Sequence, residues 1–220
     1  MKTLVIAPHP DDEVLGVGGT LLRRKAEGAE LAWLIVTGIS TANGWKKEQV
    51  ERRADEIARV TAAFGFDHVF KLDYPTTQLD RIPIGDLVAA ISGVFKVFQP
   101  EEVFLPHPSD VHTDHRAVFD ASAACTKWFR YPSVKRVLAY ETLSETDFGL
   151  GTEVGFRPNV FVDIASFLDR KLQAMDIYAS EMASFPFPRS HEALRALAKV
   201  HGATSGYHAA EAFQLLRERT

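Results

Sequence analysis

The sequence predicts an α/β fold built on a doubly wound, mostly parallel sheet. Short, continuously apolar runs of the kind seen in strands buried on both faces alternate with longer segments of helical periodicity. Gly, Pro and Asp clusters separate the two kinds of segment. This strand, helix, strand alternation requires right-handed crossovers between parallel strands.

Thr3 to Ala7 is the first apolar run, closed by Pro8 and followed at once by a loop of His, Pro and Asp. Leu15, Leu21, Leu22 and Ala26 give Val14 to Gly28 a helical pattern, with Gly28 as its stop. Leu31 to Val36 is a second strand, and Lys46 to Phe64 a long amphipathic helix with Val50, Ile57, Val60 and Phe64 on one face and Gly65 beyond it. His68 to Leu72 is a third strand, Leu87 to Phe98 a helix ended by Pro100, and Val103 to Leu105 a fourth strand. That strand again runs into a loop of Pro, His and Asp. Thr113 or Asp114 is placed to cap a helix reaching about Phe129, and Val137 to Glu141 is a fifth strand. The C-terminal third is less regular: a strand at Val160 to Val162, helices from Ala165 to about Tyr178 and from Ser190 to Val200, and a Pro-rich apolar loop at Phe185 to Pro188 that could border a cleft. No repeat, low-complexity tract or linker divides residues 1–220, which are expected to form a single domain.

Composition narrows the function. The chain has 220 residues, 46% of them apolar, and 25 Lys and Arg against 29 Asp and Glu give a formal charge of −4 with no long block of either sign. Generic nucleic-acid or anionic-membrane binding is therefore disfavoured. Cys125 is the one cysteine, which excludes an intrachain disulfide and a Cys-rich zinc module. Any metal site must use His and carboxylates. The N-terminal apolar run is too short for a signal-peptide core, and no run of about 18 apolar residues occurs. The expectation is a cytoplasmic protein with no nucleic-acid or membrane partner; a homo-oligomer is left open.

Ligands of open parallel sheets bind beyond the carboxyl ends of the strands. The first and fourth strands end in APHPDDE, with His9, Asp11 and Asp12, and in PHPSDVHTDHR, with His107, Asp110, His112, Asp114 and His115. Four of the eight histidines fall in these two loops. Neutral imidazole and carboxylate suit zinc or another first-row divalent ion, and three protein ligands with one open position define a catalytic site. His9 and Asp12, three apart on a turn, can face one ion, and His115 can complete the set. Such an ion lowers the pKa of water toward ~7, and Asp11 is placed to take the proton. The duller alternatives are that Asp11 and Asp12 cap the following helix and that the histidines are ordinary packed or surface residues. His107 is the fallback ligand.

The strand-loop Ala7-Pro8-His9-Pro10-Asp11-Asp12-Glu13, paired about a hundred residues later with His112-Thr113-Asp114-His115, resembles the LmbE/PIG-L family of zinc-dependent N-acetylglucosaminyl deacetylases. The likeness extends through about Glu141 and more loosely to the PRSHEA and AAEAF segments. It implies a Rossmann-like three-layer α/β fold and hydrolysis of the acetamide of a small N-acetylated amino sugar or its conjugate. By position, His9, Asp12 and His115 would hold one Zn2+ per chain, with Asp11 as general base. His112 would meet the oxyanion or protonate the leaving amine, Asp114 would orient one of the histidines, and Arg53 would contact substrate, with Arg52 beside it as the rival. Pro8 departs from the small residue usual there. Trp45 and Phe187 are candidates to stack on a sugar ring, and the loops Thr37 to Trp45, Tyr74 to Pro83 and Thr146 to Pro158 are candidates to set specificity.

Other chemistries fit less well. Gly16-Val17-Gly18-Gly19 lacks the third glycine of a dinucleotide loop, because residue 21 is Leu21, so these glycines are assigned to close helix packing. Ser40, Ser109 and Cys125 have no nucleophile setting. The enzymatic rival is a metal-dependent phosphoesterase, which would want a second carboxylate-rich metal set. The non-enzymatic rival is a sugar-binding module of the same fold, which loss of Asp11 would have favoured.

Overall fold

The structure is a computed structural model that describes residues 1–150 and 155–220. In chain order its elements are β1 (Lys2–Ala7), α1 (Asp12–Ala26), β2 (Glu30–Gly38), α2 (Lys47–Phe64), β3 (His68–Pro75), α3 (Ile84–Phe98), β4 (Glu102–Pro106), α4 (Thr113–Ala124), β5 (Arg136–Tyr140), β6 (Val160–Asp163), α5 (Leu168–Met175), α6 (His191–Ser205) and β7 (Ala210–Glu218). Among the described residues seven strands make one sheet in the order β3-β2-β1-β4-β5-β7-β6. The β3-β2-β1-β4-β5 part is parallel, while β7 runs antiparallel to both β5 and β6. The expected mostly parallel sheet is thus present.

Alternation along the strands sends side chains into two helical layers. Leu4 and Ile6 of β1 face one core with Leu34, Val103, Leu105, Ile91 of α3 and Val118 of α4, whereas Val5 and Ala7 face the other with Trp33, Phe104, Val60 of α2 and Leu172 of α5. Large side chains such as Trp33, Phe104 and Tyr140 are fully buried. Burying a large aliphatic or Phe side chain contributes about 1.5–3 kcal/mol. The glycines of α1 do serve packing: a Cβ at Gly19 would lie 2.7 Å from Ile164. Beside them Lys171 Nζ donates to the Leu15 carbonyl at 2.8 Å and to Glu211 at 2.6 Å. Glu211 in turn accepts from the Gly19 and Thr20 N–H groups at 2.8 and 2.7 Å. A buried ion pair therefore joins α1, α5 and β7 through the α1 backbone.

Three elements differ from the sequence reading. The helix expected to reach Phe129 stops at Ala124, because Cys125 and Thr126 turn their N–H groups back to Ser122 and Ala123, and Pro132 disfavours helix at the residue before it. The helix expected over Ala165 to Tyr178 starts only at Leu168, since Asp163 draws the Ala165 N–H into a turn, and beyond Met175 it tightens into a 3₁₀ segment, Asp176–Glu181. Strand β7 has no counterpart in the sequence reading. It needs no crossover helix before it and inserts between β5 and β6.

This topology positions the site. The chain goes from β1 out to β2 and β3 on one side, then returns through α3 to β4 on the other, so β1 and β4 are neighbours whose connections diverge. The crevice beyond their carboxyl ends is the switch point where doubly wound sheets bind ligands.

Candidate metal and catalytic site

Both His/Asp loops open at this crevice. His9 Nδ1 lies 3.4 Å and His115 Nε2 3.3 Å from the same oxygen, Asp12 Oδ2. One ligand atom from each of these three residues fits within a 4.8 Å spread. The remaining ring nitrogens are held from behind: His115 Nδ1 is 2.8 Å from Asp110 Oδ2, and His9 Nε2 is 3.0 Å from Asp114 Oδ2. Such outer carboxylates fix ring orientation and tautomer in His/carboxylate metal sites. His9, His112 and Asp114 form a second close group. Its carboxylate is already engaged, because Asp114 also accepts from the Thr77 and Leu79 N–H groups at 2.7 and 3.1 Å. The chemistry of the donors thus fits a divalent ion best at His9, Asp12 and His115.

Electrostatics agree with that fit. Burial opposes charge on His9 and His115, but the adjacent Asp114, Asp12 and Asp110 outweigh it and raise the two rings to about 9 and about 10. Protons therefore occupy, in the metal-free chain, the positions a cation would take. Asp12 lies well below the usual carboxylate range: burial pushes it up, and the charge and hydrogen bonds of His115 and His9 overcome that.

Asp11 stands at the N-cap of α1 with φ 134 and ψ −28, and its side chain makes no capping hydrogen bond. The helix-cap alternative for Asp11 is not what the geometry contains. Its backbone N–H donates to Glu13 Oε2 at 3.0 Å, and the Tyr178 hydroxyl donates to Glu13 Oε1 at 2.9 Å. Burial and the neighbouring Asp12 charge raise the Asp11 carboxyl to about 7, against the pull of Arg189. His112, not Thr113 or Asp114, caps α4: its Nδ1 accepts from the Asp114 N–H at 3.0 Å. In the neutral ring the proton is then on Nε2. Burial and the His9 and His115 charges lower His112 to about 4.

A cleft of about 390 Å³ leads to these groups, lined by His9, Asp11, Arg53, His112 and Arg189 together with Trp45, Val50 and Ile57 on one wall and Lys71, Asp73 and Thr76 on another. Arg53 lines the cleft and donates to the Pro10 carbonyl at 2.8 Å and to Glu181 at 2.7 Å. Arg52 is not among the lining residues. Trp45 lines the cleft, whereas Phe187, 42% exposed, does not. The loops Thr37 to Trp45 and Tyr74 to Pro83 contribute lining residues; part of Thr146 to Pro158 lies outside the described residues. His107 is turned away, pairing with Ser109 and Gln214, so the fallback ligand is not brought to the cluster. Sequence reasoning assigns no role to Asp110, Glu13, Tyr178 or Arg189. Glu13 and Asp110 lie inside the two quoted loops and Arg189 inside the PRSHEA segment, and that is the signal available.

Fold and site together define a doubly wound α/β protein with a His/Asp constellation at its switch point. The chain belongs to the PIG-L family, described as GlcNAc-PI de-N-acetylase, which residues 4–126 match. The diacetylchitobiose deacetylase of Thermococcus kodakarensis is 27% identical over 226 residues, covering 98% of this chain and 83% of the relative. The conserved protein TT1542 of Thermus thermophilus superposes with a TM-score of 0.80 at 29% identity, covering 99% of this chain and 96% of that one. The 4-carboxy-2-hydroxymuconate hydratase GalB of Pseudomonas putida KT2440 also shares the fold, with a TM-score of 0.73 at 20% identity over 100% of this chain and 98% of its own. A fold common to proteins of different activity leaves function to be argued from the site.

Proposed function

We propose that this chain is a zinc-dependent N-deacetylase that hydrolyses the acetamide of an N-acetylglucosamine-type sugar or conjugate to acetate and a free amine. The observation that carries the reading is the convergence of His9, Asp12 and His115 within 4.8 Å at a cleft that Asp11 and His112 also line. Membership of the PIG-L family and the similarity to a diacetylchitobiose deacetylase support the substrate class.

A divalent ion held by His9, Asp12 and His115 would, when bound, acidify water and polarise the acetyl carbonyl. Asp11 accepts a proton from the attacking water as its oxygen adds to the carbonyl carbon. The Nε2–H of His112 donates a hydrogen bond to the developing oxyanion, a role suited to a ring that stays neutral near pH 7. When the C–N bond breaks, Asp11 returns its proton to the departing nitrogen. Asp114 and Asp110 keep His9 and His115 turned inward. Arg53 and the Trp45 face are the sugar contacts of this reading. Residues 1–220 then act as one domain, with one ion per chain.

The experiment is quantification of acetate and amine released by zinc-loaded protein from a panel of N-acetyl sugars and nucleotide sugars, with phosphate monoesters and diesters alongside. Acetate with an equivalent of amine is the expected result. Phosphate-ester cleavage without acetate would replace this reading with the phosphoesterase, and binding without turnover would replace it with the sugar-binding module.

A further inference from the structure

We infer that Arg189 is a positioning residue for Asp11, holding one carboxylate oxygen so that the other stays available to accept a proton. The inference rests on the deacetylase reading for its catalytic meaning and on geometry for the contact. Arg189 Nη1 donates to Asp11 Oδ2 at 2.8 Å across 178 positions of sequence. No hydrogen bond to Asp11 Oδ1 occurs among the described residues, and Asp11 is only 4% exposed. The two oxygens of the carboxylate are therefore distinguished by their surroundings.

The guanidinium has its own anchors. Its Nε donates to Ser144 Oγ at 2.9 Å, while Glu145 and Glu181 lie 3.5 and 3.6 Å from its terminal nitrogens. Its side chain is 15% exposed. The main chain carrying it is held as well: the Ser190 N–H reaches back to Phe187 O at 3.1 Å, and Ser190 Oγ caps α6 through the Ala193 N–H at 3.1 Å. A planar fork fixed at Ser144 and between two further carboxylates meets Asp11 with a direction, which a flexible ammonium would not.

The opposite end of Asp11 is secured by Glu13, itself tied to Tyr178. Backbone and carboxylate of the proposed base are thus both fixed by the C-terminal third of the chain, through Tyr178 and Arg189. Arg189 lies outside residues 4–126, the part that matches the family. A general base acts only within hydrogen-bond reach of its proton, so loss of orientation appears in the chemical step.

The test is a cycle of Arg189→Gln and Arg189→Lys in parent and Asp11→Asn chains, reading kcat, KM, zinc content and the unfolding midpoint. Arg189→Gln should lower kcat at least tenfold with KM within about twofold and zinc at the parent level. Arg189→Lys should recover part of that loss. In the Asp11→Asn chain, Arg189→Gln should cost less than about twofold further in kcat, and the two substitutions should be non-additive in unfolding. An equal kcat loss in both backgrounds, or a raised KM with kcat retained, would overturn the inference. Should the parent release no acetate from any N-acetyl sugar, the deacetylase reading falls on its own. The unfolding cycle then still decides the pairing, and additivity there overturns it.

Discussion

Asp110 accepts a hydrogen bond from His115 Nδ1 at 2.8 Å, and this turns Nε2 of the same ring toward Asp12 Oδ2, 3.3 Å away. Asp110 is fixed in turn by the Thr146 hydroxyl at 2.6 Å. Each inner histidine therefore has a buried carboxylate behind it, and the two histidine ligands are preorganised by residues that would not touch the ion.

Removal of either layer should show in metal content. His115→Ala is expected to lose most of the bound zinc, and Asp110→Asn to weaken zinc binding about 10–100-fold while the chain stays folded. Elemental analysis after dialysis against graded chelator measures both. Parent-level zinc in His115→Ala would remove that residue from the ligand set.

Zinc uptake should release protons. His9 and His115 titrate at about 9 and about 10 in the metal-free chain, above the ordinary imidazole value of 6.5. Raised pKa values mean that protonation stabilises the metal-free fold fully below about pH 6.5 and that this contribution is lost as pH rises through 9 to 10. At pH 7 both rings must give up a proton to coordinate. Calorimetric titration with zinc in buffers of different ionisation enthalpy should yield release approaching two protons per ion. A heat independent of buffer would show that the rings do not ligate.

His112→Ala should keep its zinc and lose about 10²–10³-fold in kcat with little change in KM, as expected for a donor that acts on developing charge. Steady-state kinetics with a metal assay on the same sample separates this role from ligation. Loss of the metal in this variant would move His112 into the ligand set.

Lys171→Ala leaves Glu211 buried against the Gly19 and Thr20 N–H groups without its cation. Breaking a buried pair from one side costs about 3–5 kcal/mol. For a chain of this size that corresponds to a fall of roughly 6–20 °C in Tm, read by calorimetry. A shift under about 2 °C would show the pair to be dispensable.

Much of this site is legible before folding. The loop after Ala7 and the loop after Pro106 carry their His and Asp residues at spacings that already point to one ion, and continuous apolar runs identify the strands that present them. What pattern cannot supply is adjacency. That β1 and β4 are neighbours follows from the direction of the crossovers, which periodicity does not encode. Strand β7 escapes because it pairs antiparallel with both neighbours and its C-terminal end is exposed, although Ala210, Ala212 and Phe213 are buried. Arg189 sits in the PRSHEA segment that shares loosely in the likeness, but its pairing with Asp11 is invisible until the fold brings that segment to the base. The cap of α4 is hidden because His112 fills a place more often held by Ser, Thr, Asp or Asn.

The most direct measurement is acetate release and zinc content in Asp11→Asn beside the parent, both loaded with zinc and assayed on the same N-acetyl sugar. The substitution is nearly isosteric; it removes the capacity to take the water's proton and the charge that pairs with Arg189. The account predicts zinc at the parent level and turnover lower by about 10²–10⁴-fold. Turnover equal to the parent's, with zinc retained, would contradict it.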